Sequence, residues 1–525
     1  MKTLSASITV LLLLVAAGCS DDAPAADSGP AREAGAEAAP PSDGGSDGDV
    51  WTGGDAGPAP DPNMLPGCAA ACGADQVCKA GACVDLPTTA CGSDKWGGAL
   101  GGNVLYVDAA YAQSDSNGSE QKPYQSIADA LSKLPGDDYT IVVTDGTYDA
   151  GGPLLITRPV ILRCRCPDKV RIASPVVVTR TASSPAAPVQ VQIVGCTIAP
   201  GASAPSAAPS CGGTNNDEPR GVTVTQPQSG QPVQLSLRDE TRVFGWCTGV
   251  AMIGADAADA LCLSGARVTH NVRGVDASKA AASLSAALPG CTFKHGVSIE
   301  DSRIANNTDY GVFTRQGATT LGCKSSLIER NGTLAQNVKA GLGYGLYHGG
   351  VTAAEIDSCR VRSNENRGAV FSNAHTTSQV TGAITITSSV FDDNGGAGLV
   401  LSDLSLSGGV KLDNSRAYGT RALGGADDAD GVQVAVGGGA THSIDITGSR
   451  IDSNARTGVL MDGPLSGSVA SSVIARNATY GCLFQKTGRN VALSNNSYAQ
   501  NPSGNWSFED GNPLQKIATL PIPLP

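Results

Sequence analysis

Three sets of side chains in this 525-residue sequence have the types and spacing for chemistry. Asp392-Asp393 and Asp427-Asp428-Ala429-Asp430 are carboxylate runs in turn-rich sequence. Acids in turns are ordinarily solvated, but oxygen donors spaced like Asp427, Asp428 and Asp430 could hold Ca²⁺. Phe313, Arg315, Tyr347 and Asp462 fall at equivalent places after a recurring Gly, where aromatic rings flanked by a cation and a carboxylate could form a sugar-binding wall. The five histidines (270, 295, 348, 375 and 442) are dispersed, without a pair at metal-ligand spacing, and His348 reads as a core residue. No phosphate loop, dinucleotide fingerprint or nucleophile elbow occurs. No catalytic residue is assigned.

The recurring Gly belongs to a repeat that must position these groups. An apolar residue is followed three places on by Asn and seven on by Gly in Ile304/Asn307/Gly311, Val361/Asn364/Gly368, Phe391/Asn394/Gly398, Ile451/Asn454/Gly458 and Ile474/Asn477/Gly481. Ile328/Asn331 carries the first half, with its Gly delayed to about Gly345, and Ala417/Thr420/Gly424 is a degenerate copy. Such self-similarity marks a solenoid whose coils stack equivalent residues at the inter-strand spacing. Asn271, Asn307, Asn331, Asn364, Asn394, Asn454, Asn477 and Asn501 are therefore expected to form a structural hydrogen-bonded ladder, each in the left-handed backbone of a sharp corner. A catalytic group is needed once, whereas a coil needs its corner residue at every turn. With alternation, the second residue after each Gly points outward, giving the stripe Phe313, Tyr347, Val370, Val400, Gln433, Leu460 and Leu483.

Short Val/Ile/Leu strands, 66 Gly and 4% aromatic residues favour an all-β chain over a large globular core. Of the net charge of −12, residues 20–62 carry −9, from ten acids against Arg32. No basic stripe is visible along the sequence, so nucleic acid is not expected as a partner. Residues 19–62 lack large apolar side chains and read as a disordered acidic tether. Cys68, Cys72, Cys78, Cys83 and Cys91 mark a small disulfide module over 63–95, read as a spacer, with zinc disfavoured by the spacing. Tyr124–Leu134 reads as an amphipathic helix with Ile127, Leu131 and Leu134 on one face. It is placed to block the open end of a solenoid over 100–512, followed by a tail over 513–525.

Two resemblances sharpen this reading. Leu14-Val15-Ala16-Ala17-Gly18-Cys19, closing a short apolar run, resembles the bacterial lipobox. It implies a signal peptide over 1–18, lipidation of Cys19 and anchoring to a bilayer, with Ser20 leaning towards the outer membrane of the cell envelope. Leu105-Tyr106-Val107-Asp108, then Asn117-Gly118-Ser119 with Pro123-Tyr124-Gln125-Ser126-Ile127, then Asp145-Gly146-Thr147-Tyr148, resemble the unnamed-function domain that opens many bacterial right-handed parallel β-helix proteins. That architecture is shared with pectate lyases. The resemblance implies a right-handed parallel β-helix over roughly 103–510. Polysaccharide lyases of this fold remove the proton beside a uronate carboxylate with Arg or Lys, with Ca²⁺ held by acids. The galacturonan hydrolases of this fold use Gly-His-Gly and Arg-Ile-Lys motifs, and Tyr347-His348-Gly349-Gly350 is not one of them. The expectation is an anchored surface module for binding or structure that contacts polysaccharide. The alternative is a polysaccharide lyase or glycoside hydrolase acting on acidic glycans, with Ca²⁺ as the one cofactor considered.

Overall fold

Each coil is written by three short strands, as in Val297–Glu300, Arg303–Ala305 and Tyr310–Thr314. Apolar side chains alternate inward, so Val297, Ile299, Ile304 and Val312 meet in one continuous interior. Stacking the coils gives three parallel sheets of 14, 13 and 13 strands, called first, second and third in the order a coil visits them. The first runs from Val104–Val107 to Asn490–Ser494, the second from Gly146–Tyr148 to Ser497–Ala499, and the third from Leu154–Ile156 to Gly504–Glu509. The structure, a computed structural model, describes residues 76–509 except 80–81, 89–90, 99–100, 181–187, 206–208, 210, 212–217, 226–231, 254–258, 278–283, 315–318, 333–342, 373–381, 403–407, 423–428, 437–441 and 486–489. Cys19, the tether, Arg315, Asp427, Asp428 and the tail over 513–525 lie outside the described residues.

The corner between the second and third sheets holds the asparagines. Asn331 Oδ1 accepts from the backbone N–H of Asn307 at 3.2 Å and from its Nδ2 at 2.9 Å. Asn364 and Asn394 repeat this arrangement, as do Asn477 and Asn501. Each Nδ2 also reaches a carbonyl of the preceding coil, as Asn331 reaches Ile304 at 3.3 Å. The left-handed backbone falls one residue earlier than the sequence reading put it. Asn306, Arg330, Ser363, Asp393, Ser453 and Arg476 have φ of 51–56°. The preceding residue makes the bend, which leaves the ladder Asn free to turn its amide inward. Gly311 is Gly because the next coil presses on it: a Cβ there would lie 2.5 Å from the Gly345 carbonyl and 2.7 Å from Asn331 Nδ2. The degenerate copy also shifts. Thr420 takes the ladder place, but the Gly in register with Gly398 and Gly458 is Gly431, not Gly424, because an insertion intervenes.

A second ladder lines the corner between the first and second sheets. The N–H of Ser302 donates to Ser326 Oγ, and those of Ser389, Ser415 and Ser449 donate to the next serine in turn, each at 3.1 Å. Cys359 occupies one place in this series and is bonded to Cys323 inside the barrel. Among the described residues the bonds Cys91–Cys166, Cys164–Cys196, Cys211–Cys247 and Cys262–Cys291 also fit a chain that matures in an oxidising compartment. Cys482 is a buried free thiol. No helix among the described residues is long and apolar enough to cross a membrane.

At the N-terminal end the helix is shorter than expected, Ile127–Ser132, capped by Ser126 Oγ accepting from the Asp129 N–H. Ile127, Ala130 and Leu134 pack into the interior. Rather than standing off as a spacer, the described part of the Cys module lies on the solenoid. The hairpin Gln76–Lys79/Ala82–Asp85 is followed by Leu86, and Val77 and Leu86 pack on Leu327 of the second sheet. Lys79 pairs with Asp301 at 2.9 Å, and the Cys91–Cys166 bond closes the attachment.

Candidate functional site

The most built feature is a loop pinned over the first sheet. The Cys262–Cys291 bond holds residues 284–296 against the strand Ala260–Ser264. Glu300 then clamps the loop, accepting from the N–H of Thr292 (2.7 Å), its hydroxyl (2.9 Å) and the N–H of Phe293 (2.9 Å). The rings of Phe293 and His295 lie 5.3 Å apart over Gly322, where a Cβ would come within 2.4 Å of Phe293 and 2.7 Å of His295. Both rings remain half-exposed. Lys324 Nζ stands 5.9 Å from the Phe293 ring centre and 3.4 Å from the Thr292 hydroxyl, and His295 Nε2 is 3.5 Å from Glu355. Burial holds the His295 imidazole below its ordinary pKa, against the opposing pull of Glu355.

From this loop two polar columns run along the sheet. One reads Glu355, Thr385, Lys411, Asp445 and Ser468 in successive coils; the other reads Asp357, Thr387, Asp413 and Thr447. Hydroxyls donate to carboxylates along them: Thr387 to Asp357 at 3.2 Å, Thr447 to Asp413 at 2.7 Å and Ser468 to Asp445 at 2.7 Å. Glu355 and Lys411 are exposed and the others half-exposed. From Gly322 to Ser468 the face spans five coil steps, about 24 Å.

The residues chosen from sequence do not gather at one place. Phe313 and Tyr347 are neighbours in register on the third sheet, and Val370, Val400, Gln433, Leu460 and Leu483 continue that column. The stacking partner of Phe313 is Tyr347 itself, with ring centres 5.1 Å apart and planes 15° apart. Tyr310 and Tyr344 join them, and Phe313 and Tyr347 are only 7% and 2% exposed. Asp462 stands five coils beyond Phe313, about 24 Å away, while Arg315 lies outside the described residues. Asp430 is buried, paired through both carboxylate oxygens to Arg456 and accepting from the Thr457 N–H at 3.1 Å. Among the described residues no group of three or more His, Cys, Asp or Glu is arranged to hold a metal ion. His348 points into the barrel, where Nδ1 bonds the Thr314 hydroxyl and burial pushes its pKa down to about 3. It is a neutral core side chain.

Residues 291–444 and 344–515 match the family described as the right handed beta helix region. The chain carries a right-handed parallel β-helix. No curated protein matches it. Among solved structures, the A-module of the mannuronan C-5 epimerase AlgE4 from Azotobacter vinelandii aligns at 13% identity and TM-score 0.38, over 78% of this chain and 98% of that one. The catalytic unit of a GH87 α-1,3-glucanase from Streptomyces thermodiastaticus aligns at 12% and 0.39, over 79% and 70%. PfbA, a surface adhesin of Streptococcus pneumoniae, aligns at 9% and 0.34, over 79% and 96%. At these identities the likeness is one of fold alone.

The β-helix also aligns side chains that the sequence reading passed over. On the outer face of the second sheet one column contains Arg171, Arg242, Arg267, Arg303, Arg360, Arg416 and Arg450. The column is broken by Thr197, Leu327 and Val390, and its arginines pair with carboxylates, among them Glu240, Glu329, Asp392 and Asp452. Its members lie tens of residues apart and become neighbours only when coils stack. The available signal was an Arg four places before Asn271, Asn307, Asn364 and Asn454. The serine ladder had a similar one, a Ser five places before Asn307, Asn331, Asn394, Asn454 and Asn477. His295 and Glu355 had none, being brought together by a loop and a strand 60 residues apart.

Proposed function

We propose that this is an exported protein, anchored in the cell envelope through a lipid on Cys19, whose β-helix binds a polysaccharide along the outer face of the first sheet. The observation that carries the reading is the pair of hydroxyl–carboxylate columns leading away from the pinned Phe293–His295 loop. Carboxylates and hydroxyls repeated at the coil spacing offer hydrogen bonds to the repeated hydroxyls of a linear glycan. A half-exposed ring held at one end offers an apolar face for a sugar ring. Because Glu300, Gly322 and a disulfide fix the loop beforehand, little ordering entropy opposes binding.

The test is binding of the chain from residue 20 onwards to a panel of neutral and acidic polysaccharides, with Phe293→Ala and Lys411→Ala variants. Each variant is expected to weaken binding by about tenfold. Binding that ignores both substitutions would place the ligand elsewhere. A second reading, a lyase or hydrolase acting on acidic glycans, draws on one arrangement: an imidazole beside Glu355 and tilted against the Phe293 ring, which Lys324 Nζ approaches to 5.9 Å. A base next to a cation is what proton removal beside a uronate carboxylate requires. Unsaturated product from uronate polysaccharides, lost in His295→Ala, would select it.

A further inference from the structure

We propose that a cavity beside the capping helix is a separate binding site, which takes a single uncharged sugar unit such as the end of a glycan chain. The cavity holds about 430 Å³ between the helix Ile127–Ser132 and the first two coils. Its floor is apolar: Ile127, Tyr148, Leu154 and Ile172 are only 1–6% exposed. Its rim is polar and exposed, with Gln125, Thr147 and Asp149.

The space is there because the asparagine ladder begins later. Tyr148, Ile172, Ile198, Val243 and Val268 are in register along the second sheet. From Ile198 to Ile474 a side chain of the next coil donates to the carbonyl in this column, as Trp246 Nε1 does to Ile198 at 3.0 Å, Asn271 Nδ2 to Val243 at 3.1 Å and Asn307 Nδ2 to Val268 at 3.3 Å. Phe391 is the exception, because the Thr420 hydroxyl donates to Ala429 instead. The places that would serve Tyr148 and Ile172 hold Pro175 and Gly201, which have no side-chain donor. Each of these two carbonyls accepts one backbone N–H, from Ala173 at 2.8 Å and Ala199 at 3.0 Å, and keeps its second lone pair.

The rim adds further acceptors. Asp149 Oδ1 takes the Gly151 N–H at 2.9 Å and the Ser174 hydroxyl at 2.8 Å, which leaves Oδ2 for a ligand. Ser174 Oγ in turn accepts from the Ala150 N–H at 2.7 Å, so the carboxylate is held in place before anything binds. Gln125 commits Nε2 to the Gln113 carbonyl at 3.3 Å and keeps Oε1. The Thr147 hydroxyl accepts from Arg171 at 3.3 Å and has its own proton to donate. The helix supplies a wall, not charge, since Ser126 closes its cap on Asp129. A ligand here must donate several hydrogen bonds and also lay an apolar face on the floor, as a sugar ring does with its hydroxyls and its C–H face. Arg171 offsets the charge of Asp149, which favours an uncharged ring over a uronate or an amine. The first-sheet site lies on another face, so either reading can fail without the other.

The experiment measures binding of the chain from residue 20 onwards to glucose, galactose, N-acetylglucosamine, glucosamine and glucuronate, by saturation-transfer NMR and by the shift in thermal midpoint. It compares the parent with Ala128→Trp, which fills the cavity from an exposed helix position, and with Asp149→Asn, which keeps Oδ1 and loses the charge. Phe293→Ala is the control on the first sheet. Unfolding midpoints check that the variants fold; should Ala128→Trp not fold, Asp149→Asn carries the test. The proposal expects millimolar binding of at least one uncharged sugar, weakened about tenfold or more in Ala128→Trp and Asp149→Asn and unchanged in Phe293→Ala. Retention of wild-type affinity in Ala128→Trp, or in Asp149→Asn, would overturn it. So would loss of binding in Phe293→Ala, which would place the sugar on the first sheet, or tighter binding of glucosamine or glucuronate than of every uncharged sugar. Binding of none of the five would also overturn it and leave the cavity to water.

Discussion

Replacing Asn364 with Ala removes an inner member of the longest unbroken run of the asparagine ladder, from Asn271 to Asn394. Asn364 accepts from the Asn331 N–H at 3.1 Å and from its Nδ2 at 3.0 Å, and donates to the Ile328 carbonyl at 3.3 Å and to Asn394 Oδ1 at 3.0 Å. Alanine leaves the Asn331 N–H and the Ile328 carbonyl without these partners in a corner where Asn331 and Asn364 are fully buried. A buried polar group stripped of its partner costs about 1–3 kcal/mol, so the loss of these two should total about 2–6 kcal/mol. Urea unfolding reads it as a lower midpoint at unchanged slope. Asn501→Ala at the far end of the ladder is the comparison. Asn501 is 8% exposed, so water can reach the groups it leaves, and the loss should be smaller. If Asn364→Ala lies within about 1 kcal/mol of wild type, the ladder does not hold the coils together and the argument is wrong.

Gly311→Ala places a methyl within 2.5 Å of the Gly345 carbonyl, and should destabilise by about 1–3 kcal/mol or more, read by the same urea titration. Reducing the Cys323–Cys359 bond, or replacing both residues with Ser, opens a 36-residue span and should cost about 3–4 kcal/mol, read as a lower thermal midpoint. His348 has a folded pKa of about 3 against an ordinary 6.5, so below pH 6.5 the unfolded chain takes up a proton that the fold refuses. Its contribution is complete above that value and is lost as pH falls towards 3; a His348→Gln variant should show a shallower loss over that window in unfolding titrations.

Much of the architecture was legible because a coil must solve the same corner problem repeatedly. Ile304/Asn307/Gly311 and its copies record that problem, and the outward column through Phe313 and Tyr347 followed from strict alternation. What escaped was set by contacts far apart in sequence. Arg303 and Arg360 are unremarkable singly and share a column only through the stacking of coils. Gly431 replaced Gly424 because an insertion can lengthen a corner without disturbing the ladder. His295 meets Glu355 only because a disulfide, a glutamate clamp and a missing side chain at Gly322 fold a loop onto the sheet. The exposure of Phe313 and Tyr347 was likewise beyond the pattern, since alternation gives the direction of a side chain but not what lies over it.

The central claim is that the β-helix holds a glycan on its first sheet without transforming it. The most direct test incubates the chain from residue 20 onwards with uronate and neutral polysaccharides, with and without Ca²⁺, and follows bound ligand and released product in one sample. The account predicts retained polysaccharide, weakened by Phe293→Ala, and no unsaturated or shortened product. Product formation that disappears in His295→Ala, or failure to retain any polysaccharide, would contradict it.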